Sequence, residues 1–152
     1  MTKSHYQYSF VFTGIAPGIT QNVTKNIQRD ADFQWIKGEY FADIAAADET
    51  DSTRVIPLCT VYIQDTASSY YLSDAPVALA SLFGVGEIPF ILPAPYVFVA
   101  SNTINMQLSN FSAATTYNVR ITMTGLKIQG AGGIAPSLAA ERNAGQMMGR
   151  RG

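Results

Sequence analysis

Charge is the scarcest property of this sequence. Asp, Glu, Lys and Arg make up 14% of its 152 residues, where a soluble domain ordinarily carries about a quarter. The ten Lys and Arg are scattered from Lys3 to Arg151 and the net charge is −1, so no basic stripe exists to neutralise a phosphate backbone, and nucleic acid is not expected as the primary ligand. Cysteine occurs once, as Cys59, and histidine once, as His5. A single cysteine excludes an intrachain disulfide and a multi-cysteine zinc site, and it speaks for synthesis in a reducing cytoplasm rather than for a disulfide-stapled secreted module. The first residues, Met-Thr-Lys-Ser-His-Tyr-Gln-Tyr, alternate polar and aromatic where a secretory signal needs a continuous apolar run. The longest apolar stretch, Ile88 to Ala100, is broken by Pro89, Pro93 and Pro95, too short and too interrupted for a membrane helix.

The same scarcity bears on catalysis. With one His and one Cys, nucleophile-and-base arrangements have hardly any possible members. His5 reads as a solvated residue and Cys59, inside Leu58-Cys59-Thr60-Val61, as a small hydrophobe of the core. Asp43, Asp48, Glu49 and Asp51 form the densest acidic region, but they lack the alternating ligand spacing and central Gly of a calcium loop, so a solvated loop is expected. Gly84-Val85-Gly86 lacks the rest of a phosphate-binding fingerprint. Asn22-Val23-Thr24 and Asn110-Phe111-Ser112 match the glycosylation pattern and read as chance matches without an export signal. The expectation is a protein that is not an enzyme, with no metal site and no cofactor.

What the sequence has is a period of two. Tyr6, Tyr8, Phe10 and Phe12 fall on one face of an extended segment, with Gln7, Ser9 and Thr13 on the other. Ile104, Met106 and Leu108 alternate with Asn105, Gln107 and Ser109, and Tyr117, Val119, Ile121 and Met123 alternate with Asn118, Arg120, Thr122 and Thr124. The turn-rich link Asn110 to Thr116 between them predicts an antiparallel hairpin. Weaker strand signals lie at 19–27, 33–44, 55–64, 70–72 and 96–100, and only Pro76 to Phe83, ending at Gly84, has the composition for a short helix. Many short strands punctuated by Gly and Pro predict an all-β fold: a jelly-roll-like antiparallel β-sandwich of about eight strands over residues 1–129, with an up-and-down barrel as the alternative.

Residues 130–152 break the pattern and read as an extended C-terminal arm, long enough at roughly 3.3 Å per residue to cross a neighbouring subunit. Ile134, Leu138, Met147 and Met148 supply apolar anchors that a solvated tail does not need, and Arg142, Arg150 and Arg151 supply charge-assisted contacts. These seven are the candidate partner-binding residues. The uncharged polar residues that replace charge suit a surface that is buried against a partner, because interface cores are depleted in charge.

The order of Tyr71-Leu72-Ser73-Asp74-Ala75-Pro76-Val77, Leu82-Phe83-Gly84, Pro89-Phe90, Asn110-Phe111-Ser112 and Tyr117 to Lys127 resembles the small accessory virion proteins of tailed bacteriophages, the cement or decoration subunits of their heads. That resemblance implies a jelly-roll-like sandwich, assembly as a dimer or trimer, and binding at junctions between major capsid proteins with chain termini as clamps. It places the protein in the virion capsid after synthesis in the host cytoplasm. No binding residue transfers from the family, since no motif here fixes one. A neck, collar or tail-attachment protein shares these features. From a different class, a carbohydrate- or receptor-binding domain would use Trp35 or the Tyr70-Tyr71 pair as an aromatic platform.

Overall fold

A computed structural model describes residues 2–45 and 54–129. Among these residues the chain forms nine strands and one helical turn: β1 (Thr2–Ile15), β2 (Thr20–Asn26), β3 (Asp32–Ile44), β4 (Cys59–Asp65), β5 (Tyr70–Tyr71), β6 (Val77–Ala78), α1 (Leu79–Leu82), β7 (Phe90–Phe98), β8 (Thr103–Asn110) and β9 (Tyr117–Gln129). They build two sheets. The first has the order β1-β9-β3-β7 and the second β2-β8-β4-β5, with β6 also pairing with β4. Every pairing between these strands is antiparallel. Because the chain passes back and forth between the sheets, no strand of the first sheet is hydrogen-bonded to its neighbour in sequence. This is the strand order of a jelly roll, as expected, and it excludes the up-and-down barrel, in which consecutive strands pair.

One expectation is overturned. β8 and β9 do not form a hairpin: β8 pairs with β2 and β4 in the second sheet, while β9 pairs with β1 and β3 in the first. Asn110 to Thr116 is the corner by which the chain changes sheets. Alternation records that one face of a strand is buried, and a strand facing its predecessor across the core alternates just as one lying beside it does.

The inner faces are those that the periodicity marks. Phe10 and Phe12 of β1, Val119, Ile121 and Met123 of β9, Val61 and Ile63 of β4, and Ile104, Met106 and Leu108 of β8 are all buried, each contributing about 1.5–3 kcal/mol relative to exposure. Trp35 joins them, 1% exposed, with its ring stacked on Phe83 at 5.8 Å and its indole N–H donating to the Lys37 carbonyl at 2.7 Å. Phe83 follows α1, and its ring lies where a Cβ on Gly38 of β3 would stand. The helix is shorter than expected because Val77 and Ala78 are held as a strand against Val61 and Thr60 of β4, and Ala78 supplies no side chain to cap it.

Two strand boundaries also differ from the sequence reading. β7 begins at Phe90, not Tyr96, and accommodates Pro93 and Pro95 because it is an edge strand whose pairing with β3 shifts register between Trp35 and Lys37. β4 begins at Cys59, not Val55. Arg54 bridges Asp43 and the Val55 N–H bonds the Ala42 carbonyl, so 54–55 still belongs beside the first sheet and the chain crosses to the second only afterwards. Among the described residues no helix is long and apolar enough to cross a membrane.

Candidate interaction surfaces

At one end of the sandwich three chain segments are tied together by Asn110, which is 2% exposed. Its amide nitrogen donates to the carbonyls of Ile15 (2.8 Å) and Thr115 (2.7 Å), and its amide oxygen accepts from the Ser112 N–H (2.9 Å). Its backbone N–H donates to Ile19 and its carbonyl accepts from Gly18. The Phe111 N–H donates to the Leu58 carbonyl at 2.9 Å. These bonds bring the backbones of residues 18–19, 58 and 110–111 together, and Ile19, Leu58 and Phe111 at this end are 49%, 50% and 56% exposed. Ile56, two residues before Leu58, is exposed as well. A buried Asn110 with all its amide groups engaged is also no acceptor for a glycan, which removes one of the two pattern matches on structural grounds.

Leu58 and Phe111 continue the outer face of the second sheet. Behind them lie rows of outward residues set by the strand register: Thr20, Ser109 and Thr60; then Asn22, Gln107 and Tyr62; then Thr24, Asn105, Gln64 and Tyr71. None is charged. The Thr20 and Ser109 hydroxyls bond each other at 2.7 Å, and the Thr103 hydroxyl donates to Asn26 at 2.9 Å. The Tyr62 and Tyr71 rings stack at 4.2 Å, 13° from parallel.

The outer face of the first sheet is different in kind. Lys37 and Glu39 lie 3.7 Å apart, and Val11 and Thr13 of β1, Asn118 and Arg120 of β9, and Phe41 and Asp43 of β3 help to line a cavity of about 450 Å³. Arg54 stacks over the Phe41 ring at 5.4 Å. Asp43 is 5% exposed, and its Oδ1 is buried without a hydrogen-bond partner among the described residues. A second buried carboxylate, Asp65, accepts a hydrogen bond from the Tyr96 hydroxyl at 3.0 Å.

The arm residues Ile134, Leu138, Arg142, Met147, Met148, Arg150 and Arg151 lie outside the described residues, as do Asp48, Glu49 and Asp51. Among the described residues no three His, Cys, Asp or Glu side chains are grouped to hold a metal ion. His5 is exposed on β1. Cys59 is buried, and burial pushes its thiol up to about 11, which disfavours the reactive thiolate. Of the proposed aromatic platforms, Trp35 is corrected by its burial in the core. Tyr70 and Tyr71 are exposed, 47% and 37%, with Tyr70 stacked on Tyr96. Sequence reasoning passed over Leu58 and Phe111, although a large apolar residue between the turn formers Asn110 and Ser112 was a legible signal. It read Tyr62 only as part of the weaker strand signal over 55–64.

No family model matches this chain, and no curated protein matches it. A solved structure similar to it is the crystal structure of the infectious bursal disease virus VP2 subviral particle, at 14% sequence identity and a TM-score of 0.40, over 88% of this chain. The chain spans about a third, 34%, of the length of that one.

Proposed function

We propose that this protein is a structural virion subunit, a capsid cement or decoration protein that works as a homo-oligomer by bridging major capsid proteins. The observation that carries this reading is the apolar end of the sandwich, where Ile19, Leu58 and Phe111 stand half-exposed on backbone positions fixed by Asn110. Burying the exposed half of such a side chain contributes about 1 kcal/mol. Three or four of them make a weak contact alone and a strong one when repeated over a lattice. The thin charge of the chain supports the same reading, since few ions need to be desolvated when the surface is covered. The jelly-roll architecture is shared with viral capsid domains, lectins and cupins alike; it is an analogy of fold and selects none of them by itself.

In this reading the segment 130–152 is a second contact. β9 runs from Tyr117, opposite Ile15, to Gln129, opposite Thr2, so Gln129 lies at the end of the sandwich away from the apolar residues. A subunit with contacts at both ends can span a seam between two shell proteins. Separating them then requires breaking its contacts too.

The test is imaging of particles from the native source by cryo-electron microscopy, together with co-sedimentation of the double variant Leu58→Ser, Phe111→Ser and of a chain ending at residue 129. Density on the head lattice and loss of binding in both variants are expected. A ring at a single vertex would move the protein to the neck or collar, and unimpaired binding by the double variant would refute the contact proposed here.

A further inference from the structure

The second sheet presents a face unlike either the apolar end or the charged first sheet, and it has no role in the contact proposed above. We infer that the outer face of β2, β8, β4 and β5 is a binding site for a neutral carbohydrate, with Tyr71 as its stacking platform and Asn105, Gln64, Gln107 and Thr24 as its hydrogen-bonding rows.

Four observations converge. First, charge is segregated between the two sheets: Lys37, Glu39 and Arg120 face outward from the first, while every outward position of β2, β8 and β4 that pairs across the second is Thr, Asn, Gln, Ser or Tyr. A phosphate, a sulfated chain or an acidic peptide finds no cation there, and a basic partner finds no carboxylate. Second, the face is not apolar enough to be covered by a hydrophobic partner, because between strands it offers only amides and hydroxyls. Groups that both donate and accept are what a polyhydroxylated ligand requires. Third, one face of the Tyr71 ring is held by Tyr62 at 4.2 Å while the residue stays 37% exposed, so the ring is fixed in place before any ligand arrives. The C–H face of a pyranose stacks on a ring presented in this way, while its hydroxyls point outward to polar neighbours. Fourth, the polar groups near both ends of the face satisfy one another, as in the Thr20–Ser109 and Thr103–Asn26 bonds, but in between Asn105 Oδ1 is shielded from solvent with no hydrogen-bond partner. Asn105 pairs with Gln64, which in turn pairs with Tyr71. The unmet acceptor therefore sits in the same row as the platform. Asn105 as a residue is only half-buried, so its side chain borders the exposed face.

The dimensions suit a chain of sugars rather than a single ring. At about 4.8 Å between strands and 3.4 Å per residue, the rows from β2 to β5 run for roughly 14 Å across a face about 20 Å long. The site is shallow and solvent-exposed, so each sugar contributes little and affinity in the millimolar to micromolar range is expected, strengthened when many copies are displayed together.

The experiment is a titration of the full-length, isotope-labelled protein, followed by two-dimensional amide NMR, with maltohexaose, cellohexaose, chitohexaose and N-acetyllactosamine as neutral probes and 3′-sialyllactose as the acidic one. At least one neutral probe is expected to saturate, shifting the amides of Tyr62, Tyr71 and Asn105, with no change in affinity between low and high salt. Tyr71→Ala is expected to weaken binding about tenfold, the loss of one aromatic stacking contact. Asn105→Ala is expected to weaken it less, and His5→Ala on the opposite sheet not at all. The inference is overturned if no neutral probe binds at about 10 mM, if the shifts fall outside this face, or if the acidic probe binds better and salt weakens it. It is overturned equally if sedimentation reveals self-association that Tyr71→Ala abolishes, since the face would then belong to a second copy. Particle binding measured on the same Tyr71→Ala protein separates this inference from the virion reading: it should be unimpaired, because Leu58 and Phe111 are intact.

Discussion

Replacing Asn110 by Ala removes three hydrogen bonds between a side chain and the backbone in a place that water does not reach, and it leaves the Ile15 and Thr115 carbonyls and the Ser112 N–H to find other partners. At about 1 kcal/mol net for each bond, with buried groups left unmet, the loss is about 3 kcal/mol, a large part of the 5–15 kcal/mol by which domains are ordinarily stable. In urea, where a domain of this size loses about 2 kcal/mol per molar, the midpoint of unfolding should fall by about 1.5 M. Asn110→Asp is the sharper case. Its carboxylate still accepts from Ser112 but turns a second oxygen toward two carbonyl oxygens where the amide donated. It should be at least as destabilising as Ala at neutral pH and recover as the pH falls, once the protonated acid can donate again. A midpoint lowered by less than about 0.5 M in Asn110→Ala would show that the corner is held by packing and not by these bonds. Because the Asn110 side chain ties Ile15, Ser112 and Thr115 around the corner that carries Phe111, the Ala variant should bind particles more weakly at temperatures where it remains folded.

Three further outcomes follow from the structure. Burial raises the Cys59 thiol from 9.0 to about 11; its neutral form is favoured in the fold, so the stability it confers is full below pH 9 and is lost as the pH rises from 9 to 11, by about 3 kcal/mol. Cys59→Val should flatten that part of a stability–pH curve, and the native thiol should resist a disulfide reagent at pH 8 until the protein is unfolded. Asp30, hydrogen-bonded by Lys127 (3.1 Å) and Gln129 (3.0 Å), titrates below its ordinary value. Its contribution is therefore present above that ordinary value and disappears as the pH falls through the lowered one; Asp30→Asn should reduce the acid-side slope of the unfolding midpoint. In Gly125→Ala the new Cβ would fall on the Gln34 carbonyl oxygen where β9 and β3 pair around a bulge, and thermal melts should show a loss of about 3 kcal/mol.

The class of fold could be read from residues such as Phe10, Phe12, Ile121 and Met123, whose alternation is a direct imprint of a half-buried strand. Which strand lies beside which could not, as the β8 and β9 pairing shows: partner choice is decided by contacts distant in sequence, and those leave no local period. Pro93 and Pro95 hid the start of β7 because proline is compatible with an edge and not with a centre, and the sequence does not say which a strand will be. Trp35 was offered for binding because it is aromatic, whereas its place opposite Gly38 and Phe83 is a matter of shape. The candidate site divides in the same way. Scarcity of charge was plain from composition, but its concentration on one sheet, and the convergence of Ile19, Leu58 and Phe111 from three separate segments, exist only once the chain is folded.

The position of β9 has a consequence for how the protein is made. It is an interior strand of the first sheet, bonded on one side to β1 and on the other to β3, yet its residues are translated after those of every other strand among the described residues. While the ribosome still holds them, β1 has no strand to pair with and the aromatic row Tyr8, Phe10 and Phe12 has no sheet to complete. β2, β8 and β4 can join earlier, so the second sheet is the natural template and the first closes in a single late step. Nascent chains arrested before residue 117 should therefore engage chaperones, and those arrested once β9 has cleared the exit tunnel should not.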